Sequence, residues 1–161
     1  MYATHIKVNL IPTNERCQMG YYMDMTDCKF HIPASKFGAA LQAIKDIMFE
    51  NDDMHGGAFA GGQMVERWYS WVNTDAVMMS DTLEQALAAW RWRGYTDANG
   101  DIDYLRFEGE KSGQDNALFR VLAPYVTEGS YVAMRGEDGA LWRWYFDGNR
   151  CIEQEGRVVY K

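Results

Sequence analysis

The sequence predicts an α+β fold: a mostly antiparallel sheet with about three helices packed on one face and a C-terminal β-meander. Three observations carry this. Short runs of alternating or aromatic-rich, β-prone residues are separated by turn formers along much of the chain. In three places apolar residues recur at the three-and-four spacing of one helical face. Two turn triplets, Glu137-Asp138-Gly139 and Asp147-Gly148-Asn149, divide the C-terminal third into consecutive strands, and Asp-Gly is a strong hairpin signal.

The elements follow in order. Residues 6–10, Ile-Lys-Val-Asn-Leu, alternate as a strand, and Pro12, Asn14 and Gly20 break it. Residues 21–32 read as a longer strand ended by Pro33. Phe37, Ala40, Leu41, Ile44 and Met48 mark a first helix, with Ser35 as its expected N-cap. The run His55-Gly56-Gly57-Ala58-Phe59-Ala60-Gly61-Gly62 reads as a flexible loop, and residues 66–72 as an aromatic strand. Residues 77–79 are a short extended stretch. The second helix carries Leu83, Ala86, Leu87 and Trp90 on one stripe, with Ser80, Asp81 or Thr82 as cap and Glu84 or Gln85 closing a capping box. Residues 97–101 form a turn into a strand at 102–107. Ser112 caps a third helix bearing Ala117, Leu118, Val121 and Leu122, which Pro124 stops. The meander comprises residues 130–135, 140–146 and 151–155, and residues 158–160 extend it. Phe37, Leu41 and Ile44 recur in spacing at Leu83, Leu87 and Trp90; two amphipathic helices match this well without duplication.

Composition narrows the class. The chain has 161 residues, 47% hydrophobic and 24% charged, enough to bury a core without staples. Aromatic residues make up 14%, which excludes disorder. No Pro- or Ser-rich linker divides residues 1–161, so one domain is expected. No apolar run approaches the ~18 residues a membrane span needs, and residues 1–12 show no secretory pattern. Three cysteines, Cys17, Cys28 and Cys151, are too few and too odd for a disulfide framework; they read as free thiols in the cytoplasm. The net charge of −7 disfavours direct nucleic-acid or anionic-membrane binding and favours a partner protein with a basic surface.

Several residue sets invite a chemical reading. Cys17, Cys28 and His31, with His5 or His55, contain zinc-ligand types. Cys28 and His31, however, lie three apart on a strand, where side chains face opposite ways, and no Cys-x-x-Cys knuckle is present. Asp97, Asn99, Asp101, Asp103 and Glu108 match calcium-loop positions 1, 3, 5, 7 and 12, but Gly100 falls at position 4 rather than 6. No metal or cofactor is therefore expected. The glycines Gly56, Gly57, Gly61 and Gly62 lack the Gly-Lys-Ser/Thr of a phosphate loop and read as a flexible binding loop. No nucleophile elbow occurs, no catalytic residue stands out, and Asp24, Asp27, Glu66, Asp75 and Glu137 read as surface charge.

Alternation on residues 140–146 places Trp142, Trp144 and Phe146 on one face and Leu141, Arg143 and Tyr145 on the other. If the first set faces the core, Tyr131, Arg135, Arg143 and Tyr145 form an outer surface rich in the residue types that carry binding energy. Trp92 lies two residues beyond Trp90, off its stripe, and is expected to be an exposed aromatic and a further contact residue. The expected function is thus a non-enzymatic protein-binding domain, a small acidic inhibitor or accessory protein of mobile-element, anti-defence type that occupies a partner surface. The alternative is a small-molecule binder or hydrolase-like enzyme with a carboxylate-lined cleft beside the glycine loop. The meander edge also allows a homodimer.

Overall fold

The computed structural model describes residues 20–50 and 53–161. The expected strand at 6–10, and with it His5 and Cys17, lies outside the described residues. β1 (Met23–Lys29) leads into α1 (Phe37–Asp46). β2 (Gly56–Ala60) and β3 (Gln63–Trp68) form a hairpin, followed by α2 (Thr74–Met78) and α3 (Leu83–Ala89). A second hairpin, β4 (Trp92–Thr96) and β5 (Ile102–Phe107), precedes α4 (Asp115–Leu122). The meander β6 (Tyr131–Gly136), β7 (Leu141–Phe146) and β8 (Cys151–Gly156) closes the chain's regular structure. The fold is α+β, with antiparallel strands and four described α-helices rather than three.

The main sheet has the order β1-β6-β7-β8. Its registers run Met23↔Gly136 to Lys29↔Tyr131, with a bulge between Met25 and Asp27, then Tyr131↔Tyr145 and Tyr145↔Ile152. As alternation predicts, Trp142, Trp144 and Phe146 point into the core and are buried, as are Val132 and Met134 on β6. Helix α4 covers this inner face. Phe119 packs tilted against Trp144 with centroids 4.8 Å apart and meets Trp92 edge-on at 5.1 Å, geometry that adds to area burial. The indole nitrogen of Trp144 donates to Asn116 Oδ1 at 2.6 Å, so the buried ring keeps its polar atom satisfied. Beyond β1, single bridges Tyr22–Lys111 and Ile32–Ile102 tie the sheet to the second hairpin and the segment after it.

Local chemistry explains most elements. Thr82 Oγ1 accepts from the Gln85 amide at 3.2 Å, and Gln85 Oε1 accepts from the Asp81 amide, so the expected capping box starts α3. Gly139 has φ 83° in the β6–β7 turn, and Asp147 Oδ1 accepts from the amides of Asn149 and Arg150 in the β7–β8 turn.

Five local expectations are corrected. The glycine segment is not a loop: Gly56 and Gly57 lie in β2, and Gly61 and Gly62, at φ 59° and 79°, form the turn to β3. Two successive residues of positive φ suit a two-residue hairpin turn. Residues 77–79, read as extended, belong to α2 and its C-terminal end, because Asn73 Oδ1 caps the helix at the Ala76 amide. Ser35 sits inside a 3-10 turn at Ala34–Lys36 rather than capping α1. Ser112 does not cap α4, whose N-cap is Gln114. Residues 158–160 leave the sheet and are exposed, Tyr160 at 90%.

Candidate protein-contact surface

With α4 on the inner face, the outer face of the main sheet carries the side chains of opposite parity. Tyr131 on β6 and Tyr145 on β7 are direct cross-strand partners, and Arg143 stands two residues from Tyr145. The Arg143 guanidinium carbon lies 5.3 Å from the Tyr131 ring centroid and 5.2 Å from that of Tyr145, within cation–π range of both. Its Nε donates to Gln154 Oε1 on β8 at 2.6 Å. Tyr131 in turn donates its hydroxyl to Asp27 Oδ2 on β1 at 2.8 Å, and that neighbouring carboxylate pushes the phenol pKa up. A Tyr-Arg-Tyr stack is thereby fixed across all four strands, its three members half-buried and their edges open to solvent. Arg135, exposed and opposite Asp24, lies on the same face. Four of the five expected contact residues are therefore brought together.

Trp92 is the exception. It is fully buried, and its Nε1 donates to Asp115 Oδ1 at 2.9 Å. The expectation assumed that the helix through Trp90 continued. Instead α3 ends at Ala89, and Arg91 takes φ 70°, reversing the chain so that Trp92 opens β4 facing inward. Arg91 holds this conformation by donating to Lys111 O and pairing with Asp115 at 3.4 Å.

The exposed tryptophan is Trp71. It is 48% exposed, has φ 66°, and sits beside Tyr22, 46% exposed, with the Lys111 ammonium 5.6 Å and 5.2 Å from the two rings. Tyr22 precedes inward-facing Met23 and shares the outer parity of Asp24, so this second cation–aromatic cluster adjoins the first face. Sequence reading missed Trp71 because it ran the strand through residue 72. Gln114 ends that run: its Oε1 accepts from both the Ser70 and His55 amides, and its Nε2 donates to Asp53 O. A non-glycine residue held at positive φ is a strained position of the kind found at functional surfaces. The separate β2–β3 hairpin exposes Phe59 and Val65 of its own.

Among the described residues, the thiols lie on opposite edge strands of the main sheet, Cys28 on β1 and Cys151 on β8. Cys28 and Cys151 are free thiols, and burial pushes their pKa values up to about 11 and about 12, which makes them poor nucleophiles. Glu66 and Glu137 are exposed. Among the described residues, no helix is long and apolar enough to cross a membrane. No protein-family model, curated protein or solved structure matches this chain.

Proposed function

We propose that this protein is a non-enzymatic protein-binding domain, a small acidic inhibitor or accessory factor of the kind mobile genetic elements carry, acting in the cytoplasm by occupying a partner's surface. The observation that supports this reading above all is the Arg143 guanidinium held between Tyr131 and Tyr145 on the sheet face opposite α4. Tyr and Arg carry most binding energy at protein interfaces, and a stack already ordered by Gln154 and Asp27 loses little side-chain freedom on binding. The net charge of −7 steers a partner with a basic surface towards it and weighs against nucleic acid and anionic lipid. Asp27, bonded to Tyr131, and Asp24, opposite Arg135, are acidic neighbours on the same face. Two unreactive, unpaired thiols suit a reducing compartment.

Affinity capture from a lysate of the source organism tests this. The wild type should retain one protein in stoichiometric amount, and a double variant Arg143→Ala/Tyr145→Ala with an unchanged unfolding midpoint should lose it. Equal retention by both, or none by the wild type, removes this face as the binding surface.

A further inference from the structure

We propose that His31, Asp97 and Asp101 form a binding site for a divalent transition-metal cation, Zn²⁺ or Mn²⁺ in class, that clips the segment after β1 to the β4–β5 turn. Among the described residues, these are the one group whose ligand atoms, one from each side chain, all lie within 4.8 Å of one another. The group takes one member from the set that looked like zinc ligands and two from the set that looked like a calcium loop, and neither pattern alone anticipated it.

The backbone builds the arrangement. Ile32 and Ile102 exchange both hydrogen bonds, at 2.8 and 3.0 Å, as an antiparallel bridge, which puts His31 and Asp101 on one face as diagonal neighbours across it. The residue 97–101 turn is closed by the Asp97 amide donating to Asp101 O at 2.8 Å, with Gly100 at φ 81°. Each carboxylate spends one oxygen on structure. Asp97 Oδ1 accepts from the amides of Asn99 and Asp101, and Asp101 Oδ1 accepts from Ala34 N at 2.7 Å. The second oxygen of Asp101 meets His31 Nε2 at 3.1 Å, a contact that a cation between the two would replace.

The imidazole makes this more than an acidic cluster. His31 Nδ1 contacts Thr127 Oγ1 at 2.5 Å, and the Thr127 amide donates to His31 O, so the loop before β6 fixes the ring from behind. Nε2 is thereby directed at Asp101 Oδ2, 3.1 Å away. Metal-bound histidines are usually oriented by an oxygen acceptor on the far nitrogen, a carboxylate, carbonyl or water, and Thr127 Oγ1 stands in that position here. Ligand atoms about 2.1 Å from an ion lie roughly 3.0 Å apart in octahedral and roughly 3.4 Å apart in tetrahedral geometry; His31 Nε2 and Asp101 Oδ2, 3.1 Å apart, already match, and Asp97, within 4.8 Å of both, closes the set by side-chain rotation. One imidazole and two carboxylates suit zinc or manganese better than calcium or magnesium, which prefer oxygen alone. Half-exposed side chains leave remaining positions to water.

Calorimetric titration of the chelator-treated protein with Zn²⁺, Mn²⁺ and Ca²⁺ tests the site. One equivalent of Zn²⁺ or Mn²⁺ should bind and raise the unfolding midpoint, with Ca²⁺ at least tenfold weaker. His31→Gln and Asp97→Asn should each weaken binding at least tenfold; Asn retains the oxygen that holds the turn, so that variant keeps its fold. Thr127→Val should weaken it by a smaller factor. Co²⁺ should give a spectrum without a thiolate charge-transfer band. Failure of the wild type to bind, undiminished binding by both ligand variants, or a thiolate band overturns the proposal.

Discussion

The Arg91–Asp115–Trp92 group shows how much can hang on one buried carboxyl. Asp115 is almost wholly enclosed, its side chain 2% exposed, and burial pushes its pKa up, while Arg91, the Trp92 indole N–H and the Gly113 amide pull the other way. Arg91 suffers the converse: burial lowers its pKa and Asp115 raises it. Each charge is tolerable because the other is present. Asp115→Ala leaves the Arg91 guanidinium and the Trp92 N–H without that acceptor and should cost about 3–5 kcal/mol of unfolding free energy, measured by urea denaturation. Asp115→Asn keeps an oxygen for Trp92 and should cost less. Equal losses would mean that the charge, rather than the indole bond, dominates. Gly113 belongs to the same arrangement, since a Cβ there would lie 2.6 Å from an Arg91 nitrogen and 2.9 Å from Ser70 O.

At the scale of elements, turn chemistry and alternation were legible in the sequence, while chain reversals through non-glycine residues were not. The capping box at Thr82, the Asp-Gly hairpins and the inward set Trp142, Trp144 and Phe146 follow from local rules that packing had no reason to override. The two errors that moved a tryptophan between core and surface fall at Trp71 and Arg91, where φ is positive without a glycine to announce it. Long-range contacts, Lys111 O for Arg91 and Gln114 for Ser70, impose those conformations. No residue-by-residue reading of propensity contains them. His31 illustrates the same limit, because its neighbours in space are residues 97, 101 and 127.

The turns also make a pH-dependent contribution. The amides of Arg150 and Asn149 hold the Asp147 carboxyl below the ordinary carboxylate range, and the Ala34 amide followed by His31 does the same for Asp101. A carboxyl whose pKa is lower folded than unfolded stabilises fully above its unfolded value, about 3.9, and that contribution is lost as pH falls through the folded value. Asp147→Asn should therefore be less stable than wild type at neutral pH, and the gap should narrow under acid conditions. Urea midpoints compared across pH check this; a gap independent of pH would trace the loss to the amide bonds alone.

For the whole molecule, the aromatic content divides between two jobs. Phe119 sits where α4, the second hairpin and the main sheet meet, touching Trp92, Trp144 and Phe146. Phe119→Ala should cost about 3–5 kcal/mol in chemical denaturation, against a small effect for Tyr145→Ala at the open face. A similar cost for both would place the outer tyrosines among the fold's supports rather than at a contact surface. The sequence made the sheet-and-helix layering legible because side-chain period alone sorts the meander into two faces. It did not show which helix covers the inner one, a matter of topology.

That topology sets a timetable for synthesis. β1 is hydrogen-bonded in the main sheet to β6, and Tyr21 meets Asp138 across 117 positions of chain. At a ribosomal rate of roughly 5–20 residues per second, the nascent β1 waits on the order of ten seconds for that strand to emerge. For that interval its hydrogen-bonding edges are exposed, and Asp24, Asp27 and Lys29 along it are the kind of charges that discourage pairing with other chains.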